Sequence, residues 1–177
     1  LRLYMASDYA VTDGAGDFTE HGVFGWDDDT LWLVDWWYEQ ATTDVWIDAA
    51  CDLLVEHEPL CWFGEAGVIK RSVEPYIKLR MAQREIRCRM ESLPSVSDKE
   101  TRARSFQAMA ASGKVMVPRS APWKAHVMQQ LLSFPSGAHD DGVDVCSLIG
   151  RGLQMLGKAK ARPKPVVRPM IAQSWMA

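Results

Sequence analysis

The stretch Leu3–Tyr9 reads LYMASDY, and it predicts a buried strand that ends in a carboxylate. The apolar run stops at Asp8, and the polar segment TDGAGD at 12–17 follows with two glycines that favour a sharp turn. A strand of this kind is a common way to place a metal ligand. Taken alone, Asp8 is better interpreted as a turn-forming aspartate at a strand end.

Two further acidic sites change this interpretation. Glu65 follows a short apolar run in WFGEAG, and the pair Asp140 and Asp141 lies in SGAHDDGVDV. Carboxylates that are crowded together repel one another, and hard divalent cations with oxygen ligands relieve that repulsion. The three sites together therefore predict a metal centre.

The pattern of apolar runs and turn residues predicts an α/β protein with a mixed sheet flanked by helices. Three strands with short connections form an antiparallel meander at 1–9, 21–26 and 31–38. Further strands are predicted at 60–64, 86–90 and 114–117, and helices at 43–57, 68–83, 97–111, 122–132 and 140–156. Pro75 lies inside the second helix and predicts either a kink or a start near residue 74.

Other candidate metal ligands are weaker. Asp27, Asp28 and Asp29 are consecutive, but their place at a hairpin tip favours solvated turn residues. The four cysteines are widely spaced and include no CxxC pair, which argues against a zinc ribbon. We expect reduced cysteines in the core.

The net charge of −3 hides a strong asymmetry along the chain. Residues 1–65 hold 15 acids and one base, whereas residues 66–126 hold 13 bases and 5 acids. An acidic half with the candidate site beside a basic half is typical of a metal-dependent enzyme that acts on a polyanion. Alternatively, the two halves simply attract each other, and charge alone favours neither interpretation.

The length of 177 residues favours one domain with a substantial core. The sequence has neither a secretory signal nor an uncharged apolar run of about 18 residues, so no membrane span is expected. It opens on a strand without an initiator Met, which favours a domain cut from a longer protein. We expect this domain at residues 1–156, and a flexible tail at 157–177, where five bases and three prolines occur.

The predicted topology brings the acidic sites together. In a mixed sheet the first and fourth strands can be neighbours, which places Asp8 and Glu65 at one edge beside the start of the last helix. Two divalent ions about 4 Å apart can activate a water and stabilise the leaving oxygen of a phosphodiester. Such chemistry needs no Ser, Cys or His nucleophile, and none stands out in this sequence.

The chain resembles the C-terminal nuclease domain of the large terminase subunit of tailed bacteriophages and prophages. The resemblance is carried by MASDYA at 5–10 with TDGAGD, WFGEAGVIK at 62–70, SDKETRARSF at 97–106, GKVMVPRSAPW at 113–123 and FPSGAHDDGVDVCSLIGRGL at 134–153. The last of these stretches is the most specific. The resemblance implies a ribonuclease-H-like fold and two-metal cleavage of DNA during genome packaging, with Mg²⁺ or Mn²⁺ as the metals.

In the family's pattern, Asp8, Glu65 and one aspartate of the HDD segment hold the metals and form the catalytic set. We expect Asp141 to be this aspartate, with Asp140 either as the helix-capping acid or as a second ligand. Asp144 is interpreted as a structural or supporting group. His139 is either an exposed residue at the start of the helix or a group that orients a water or a phosphate.

Basic residues beside this site could follow DNA phosphates without reading sequence. Lys99 and Arg102 match the family pattern, and Lys70 and Lys114 are further candidates. The resemblance also implies double-stranded DNA, the terminase small subunit and the portal protein as partners, in the cytoplasm of the bacterial host. No GxxxxGK[ST] phosphate loop occurs, so we expect the N-terminal ATPase domain of such a protein to be missing from this chain.

Two other functions remain open at this point. A resolvase-, integrase- or exonuclease-type enzyme would share the fold and the order of the acids. A docking domain would keep the fold but need a partner for cleavage. The FPSGAHDD context favours the terminase nuclease, and the intact acidic triad argues against a docking role alone.

Overall fold

The computed structural model describes residues 1–10, 18–96, 98–137 and 139–159, including their side chains except at 68–70 and 158–159. The predicted turn segment at 12–17, Ser97 and the part of the predicted tail from residue 160 onward lie outside these ranges.

The described strands are β1 (Arg2–Asp8), β2 (Thr19–Trp26), β3 (Leu31–Glu39), β4 (Cys61–Glu65), β5 (Arg89–Leu93) and β6 (Val115–Met116). They form one six-stranded sheet in the order β5-β4-β1-β2-β3-β6. The first three strands form the predicted antiparallel meander. The other three pair in parallel, β4 with β1, β5 with β4 and β6 with β3, so the predicted mixed sheet is confirmed.

The described helices are α1 (Thr43–His57), α2 (Val68–Gln83), α3 (Lys99–Ala111), α4 (Lys124–Ser133) and α5 (Asp141–Ala159). Side chains alternate between the two faces of the sheet along each strand. Met5 packs with residues of α1 and α2 on one face, whereas Tyr4 and Ala6 pack with residues of α3, α4 and α5 on the other. None of the described helices is long and apolar enough to cross a membrane.

The largest correction concerns β5, which we predicted at 86–90 and which lies at Arg89–Leu93. Ile86 instead closes the end of α2, because its N–H donates to the Met81 carbonyl at 2.8 Å. Glu85 before it adopts a left-handed φ of 56°. The strand then delivers Leu93, only 3% exposed, into the core.

Smaller corrections concern the helix ends. The start near residue 74 is wrong, because α2 runs from Val68 with Pro75 inside it. The fourth helix begins at Lys124 rather than at 122, and the fifth extends to Ala159 rather than to 156. The third helix begins close to its predicted start, where Asp98 caps it by accepting the Thr101 N–H.

The β2–β3 turn and the cysteines follow the predictions. Asp27 Oδ1 accepts the N–H groups of Asp29 at 3.1 Å and Thr30 at 2.8 Å, so this aspartate shapes the turn. Arg2 pairs with Trp26 in the β1–β2 register, which places the turn at the opposite end of the sheet from Asp8. All four cysteines are free, and three of them are buried.

Candidate metal centre

Asp8 and Glu65 end two neighbouring parallel strands at the same edge of the sheet. In the register of β1 and β4, Ala6 pairs with Phe63, so Asp8 and Glu65 each lie two residues further along. Ala6 and Phe63 both belong to the core beneath α3, α4 and α5. Because residues two apart on a strand share a face, both carboxylates lie on that face.

The first turn of α5 supplies carboxylates on the same face. Asp141 is 6% exposed, and its Oδ2 accepts the backbone N–H of Phe18 at 3.2 Å. Asp144 follows three residues later, on the same side of the helix as Asp141. Asp140 precedes the helix, and its carbonyl accepts the Asp144 N–H at 3.0 Å, which is the position of a capping residue.

The electrostatics of Asp8 show that these carboxylates surround it. The pKa of Asp8 is raised well above its ordinary value of 3.8. Burial is the largest cause, followed by the negative charges of Asp144, Asp141 and Glu65. Arg102 opposes the rise. Asp144, which we predicted to be a structural or supporting group, is thus one of the carboxylates whose charge acts on Asp8.

Two bases of α3 lie among these acids. Arg102 Nη1 lies 3.3 Å from both carboxylate oxygens of Glu65, and its Nη2 lies 3.1 Å from Asp144 Oδ1. Lys99 Nζ lies 2.7 Å and 2.6 Å from the two oxygens of Asp140, and 3.7 Å from Asp144. The predicted pair Lys99 and Arg102 therefore lies at the centre and supplies its positive charge.

Of the other two predicted bases, Lys114 lies away from this group. Lys114 pairs with Asp29 at the β2–β3 turn, at the far end of the sheet. The backbone of Lys70 lies in the first turn of α2, shortly after Glu65, and its side chain is outside the described part of the structure.

A separate group of ligand-type side chains lies on the other face. Among the described residues, Asp35, Glu56 and His57 form the one group of three whose ligand atoms all lie within 4.8 Å of one another. The ion pair between His57 Nε2 and Asp35 Oδ2, at 2.9 Å, accounts for two of its three members. The ligand atoms of Asp8, Glu65 and Asp141 therefore do not all lie within 4.8 Å of one another.

Two residues near the centre were not predicted from the sequence. Glu20 is completely buried, and it pairs with Asp8 in the β1–β2 register. We predicted β2 from residue 21, whereas it begins at Thr19 and so includes Glu20. Arg151 of α5 was also missed, and its pKa is lowered by burial while the charge of Glu65 acts against that shift.

His139 is exposed beside the centre, and its ring contacts Phe18 edge-on at a centroid distance of 5.5 Å. A cavity of about 230 Å³ lies between them and is also lined by His126, Gln129, Gln130 and Ser133. The structure therefore agrees with an exposed histidine at the start of the helix, next to a small opening.

Comparison with known proteins identifies the fold. Residues 5–149 match the family model described as the terminase RNaseH-like domain. A search of curated proteins found no match. The large terminase of a thermophilic bacteriophage, solved in complex with ADP, has a TM-score of 0.61 and 12% identity to this chain. That match covers 86% of this chain and 40% of the phage protein, so this chain spans less than half of that relative.

Two nuclease-domain structures are similar over most of both chains. The human cytomegalovirus terminase nuclease domain, soaked with Mn and bound to an inhibitor, gives a TM-score of 0.59 and 11% identity, with 87% of this chain and 82% of that one covered. The large terminase nuclease of the thermophilic phage G20c with bound magnesium gives 0.60 and 16%, with 84% and 80% covered. The ribonuclease-H-like fold is thus confirmed, and the chain belongs to the terminase RNaseH-like domain family.

Proposed function

We propose that this chain is the metal-dependent nuclease domain of a large terminase subunit and that it hydrolyses phosphodiester bonds of double-stranded DNA as an endonuclease. The observation that carries the proposal is the convergence of Asp8, Glu65 and Asp141. These residues come from distant parts of the chain and share one face at one edge of the sheet.

The donor set fits magnesium or manganese. Its ligands are all carboxylate oxygens, which hard divalent cations prefer, and its negative charge raises the pKa of Asp8. Similar nuclease domains have been solved with magnesium and after a manganese soak. Two ions about 4 Å apart join ligands that are farther apart than those of one ion. We propose two ions on this set, which is the arrangement that the family resemblance implies.

We assign the holding of these ions to Asp8, Glu65 and Asp141, with Asp8 between the other two. Asp144 is the candidate fourth ligand in preference to Asp140, because the Asp144 side chain is 14% exposed and its charge acts on Asp8, whereas the Asp140 side chain is 30% exposed and pairs with the exposed Lys99. When bound, such ions polarise the phosphate and lower the pKa of a water.

The bases of α3 have different parts in this proposal. The Lys99 side chain is 49% exposed, so it can exchange Asp140 for a DNA phosphate. The Arg102 side chain is only 11% exposed and is held by Glu65 and Asp144. It therefore orients these two carboxylates and limits their mutual repulsion.

The place of this domain in the virus is part of the same proposal. We propose that it works in DNA packaging in the cytoplasm of the bacterial host, together with an ATPase domain, the terminase small subunit and the portal protein. Membership in the terminase family supports this role. So does the likeness to part of a longer large terminase that was solved with ADP.

A plasmid assay tests the proposal. Supercoiled DNA is incubated with the purified chain and with Mg²⁺, Mn²⁺, Ca²⁺ or a chelator. We expect nicked and linear products with Mg²⁺ or Mn²⁺ and none with the chelator. A folded chain that neither cleaves DNA nor binds Mn²⁺ would instead be a docking domain. Preference for a four-way junction over duplex DNA would indicate a resolvase.

A further inference from the structure

Glu20 is a completely buried carboxylate that the proposed chemistry does not use. Its Oε2 accepts the indole N–H of Trp36 at 2.7 Å, and its Oε1 accepts an amide N–H of Gln130 at 2.6 Å. His126 Nε2 lies 2.8 Å from the same Oε1 and 2.8 Å from the amide nitrogen of Gln130, so its tautomer sets whether it donates to Glu20 or accepts from Gln130. A buried charge is costly unless it is hydrogen-bonded, and here each oxygen has a donor.

Gln130 links Glu20 to the start of α5 through hydrogen bonds. Its amide oxygen accepts the backbone N–H of Gly142 at 2.7 Å while its NH₂ group faces Glu20. Only this orientation of the amide satisfies both partners. A Cβ added at Gly142 would lie 3.1 Å from Glu20 Oε2 and 3.3 Å from the Gln130 oxygen. The first turn of α5 therefore packs directly against these two side chains.

The network lies between two of the acids of the centre, Asp8 and Asp141. Glu20 pairs with Asp8 across β1 and β2, and Gly142 follows Asp141 in the chain. We propose that Glu20 and Gln130 are positioning residues that fix Asp141 relative to Asp8 and thereby set the affinity of the centre for divalent cations. This inference rests on the proposed function, because it assumes that Asp8 and Asp141 hold the metal.

The alternative is that Glu20 and Gln130 only stabilise the core. Variants that exchange the donors and acceptors of this network distinguish that explanation from a positioning role. Glu20→Gln keeps the shape but turns an NH₂ group toward the NH₂ group of Gln130. Gln130 must then reverse and present NH₂ to the Gly142 N–H, or lose its contact with position 20. Gln130→Glu alone instead places two carboxylates together.

The double variant E20Q/Q130E restores every contact with the roles exchanged. The new amide at position 20 can accept from Trp36 and donate to position 130. The new carboxylate at position 130 can accept from that amide, from His126 and from Gly142. If these side chains only filled space in the core, the double variant would bind Mn²⁺ no better than the single variants. If the hydrogen bonds position Asp141, the double variant restores them and should restore Mn²⁺ binding.

The experiment measures Mn²⁺ affinity of the full chain by titration calorimetry, at a temperature where circular dichroism shows each variant folded. We expect E20Q and Q130E each to bind Mn²⁺ about tenfold more weakly, and E20Q/Q130E to return to within about threefold of the wild type. Gln129→Glu is the matched control, because it makes the same change at the exposed neighbouring position and should alter affinity less than about twofold.

Unchanged Mn²⁺ affinity in folded E20Q and Q130E would overturn the inference, and so would a double variant as weak as either single one. If E20Q does not fold, Q130E and Gly142→Ala test the inference in its place. Each of these variants should weaken Mn²⁺ binding. Failure of the proposed function looks different, because the wild type would then bind no Mn²⁺, or Asp141→Asn would bind it normally. That result would remove this inference as well.

Discussion

The Arg102 guanidinium lies 3.1 Å from the carboxylate of Asp144, one helical turn beyond Asp141. The same guanidinium contacts Glu65 at 3.3 Å, so one side chain of α3 joins the end of β4 to the start of α5. With its side chain only 11% exposed, this arginine is a fixed part of the centre. Its positive charge partly offsets the cost of gathering several carboxylates at one place.

Asp8→Asn should abolish metal-dependent cleavage and yet stabilise the metal-free protein. Burial and three neighbouring carboxylates raise the pKa of Asp8, so its ionised form opposes folding. If the substitution relieves about 1 kcal/mol, the melting temperature rises by about 2–4 °C at neutral pH. Added Mn²⁺ should stabilise the wild type but not D8N. Wild-type nicking rates in folded D8N would refute the assignment.

The same substitution predicts a pH dependence. Between the unfolded pKa, near 3.8, and the raised folded pKa, the folded protein binds more protons than the unfolded chain. The contribution of Asp8 to stability therefore falls as pH rises through this window. The difference in melting temperature between D8N and the wild type, without metal, should vanish near pH 4 and grow as the pH rises above the unfolded pKa. A difference that grows on acidification would contradict this origin.

Glu65→Gln and Asp141→Asn should each lower the nicking rate by about 100-fold or more, because each removes a proposed metal ligand. Asp140→Asn and Asp144→Asn form a comparison pair on the same segment. We expect Asp144→Asn to weaken Mn²⁺ binding strongly and Asp140→Asn to change it little. Density for Mn²⁺ in a soaked crystal should lie between Asp8 and these ligands. Density at Asp27, Asp28 and Asp29 instead would show that the site is wrong.

Lys99→Ala should weaken binding to unrelated duplex sequences equally. Loss of one phosphate contact lowers the slope of log affinity against log salt by about 0.9. Fluorescence anisotropy in Ca²⁺ measures this slope without requiring cleavage. Lys114→Ala is the control at the opposite end of the sheet and should leave the slope unchanged. An effect of Lys99→Ala that is confined to one sequence would contradict contact with the backbone of DNA.

Gly152→Ala should destabilise the fold by about 1–3 kcal/mol through overpacking. The added Cβ would lie 2.8 Å from two ring atoms of Phe63, in the core beneath α5. Gly157→Ala on the same helix meets nothing within 4 Å and should be neutral or stabilising by up to about 1 kcal/mol. Thermal melts measure the difference in stability between the two variants. Equal melting temperatures would refute the predicted close packing of α5 on Phe63.

Removal of residues 160–177 should leave melting temperature and metal-dependent nicking nearly unchanged. This segment retains four of the five bases of the tail and all three prolines, which disfavour a packed element. We predict that it is an arm that raises association with DNA or with the packaging machinery. Binding assays on the truncated chain measure that effect. Unfolding on truncation would show that the segment packs on the core.

The two strand-end acids could be predicted because their signals are local. Asp8 and Glu65 each follow an apolar run and precede a glycine-containing segment, and both features are visible in a few residues. The step from two strand ends to one site needed only that β1 and β4 be neighbours, which the structure confirms. The choice of Asp141 came from the resemblance, which implies a ligand in the HDD segment, and it stays a prediction.

The remaining residues depend on contacts that are distant in sequence. Glu20 lies next to Asp8 only because β2 starts two residues earlier than its pattern suggested, and its burial is compensated from β3 and α4. The contact of Asp144 could not be predicted, because it is made with Arg102 of α3, which is distant in sequence. The boundary of β5 was wrong because a charged strand beside a helix end has little periodicity of its own.

The order in which the site residues occur has a consequence for synthesis. Asp8 and Glu65 precede Asp141 and Asp144 in the sequence, and the latter two belong to α5, the last described helix. A partly made or truncated chain therefore holds only half of the carboxylates, spread over a sheet that lacks the helix covering it. On the function proposed above, the ability to cut DNA should therefore arise only when this last helix docks on the sheet.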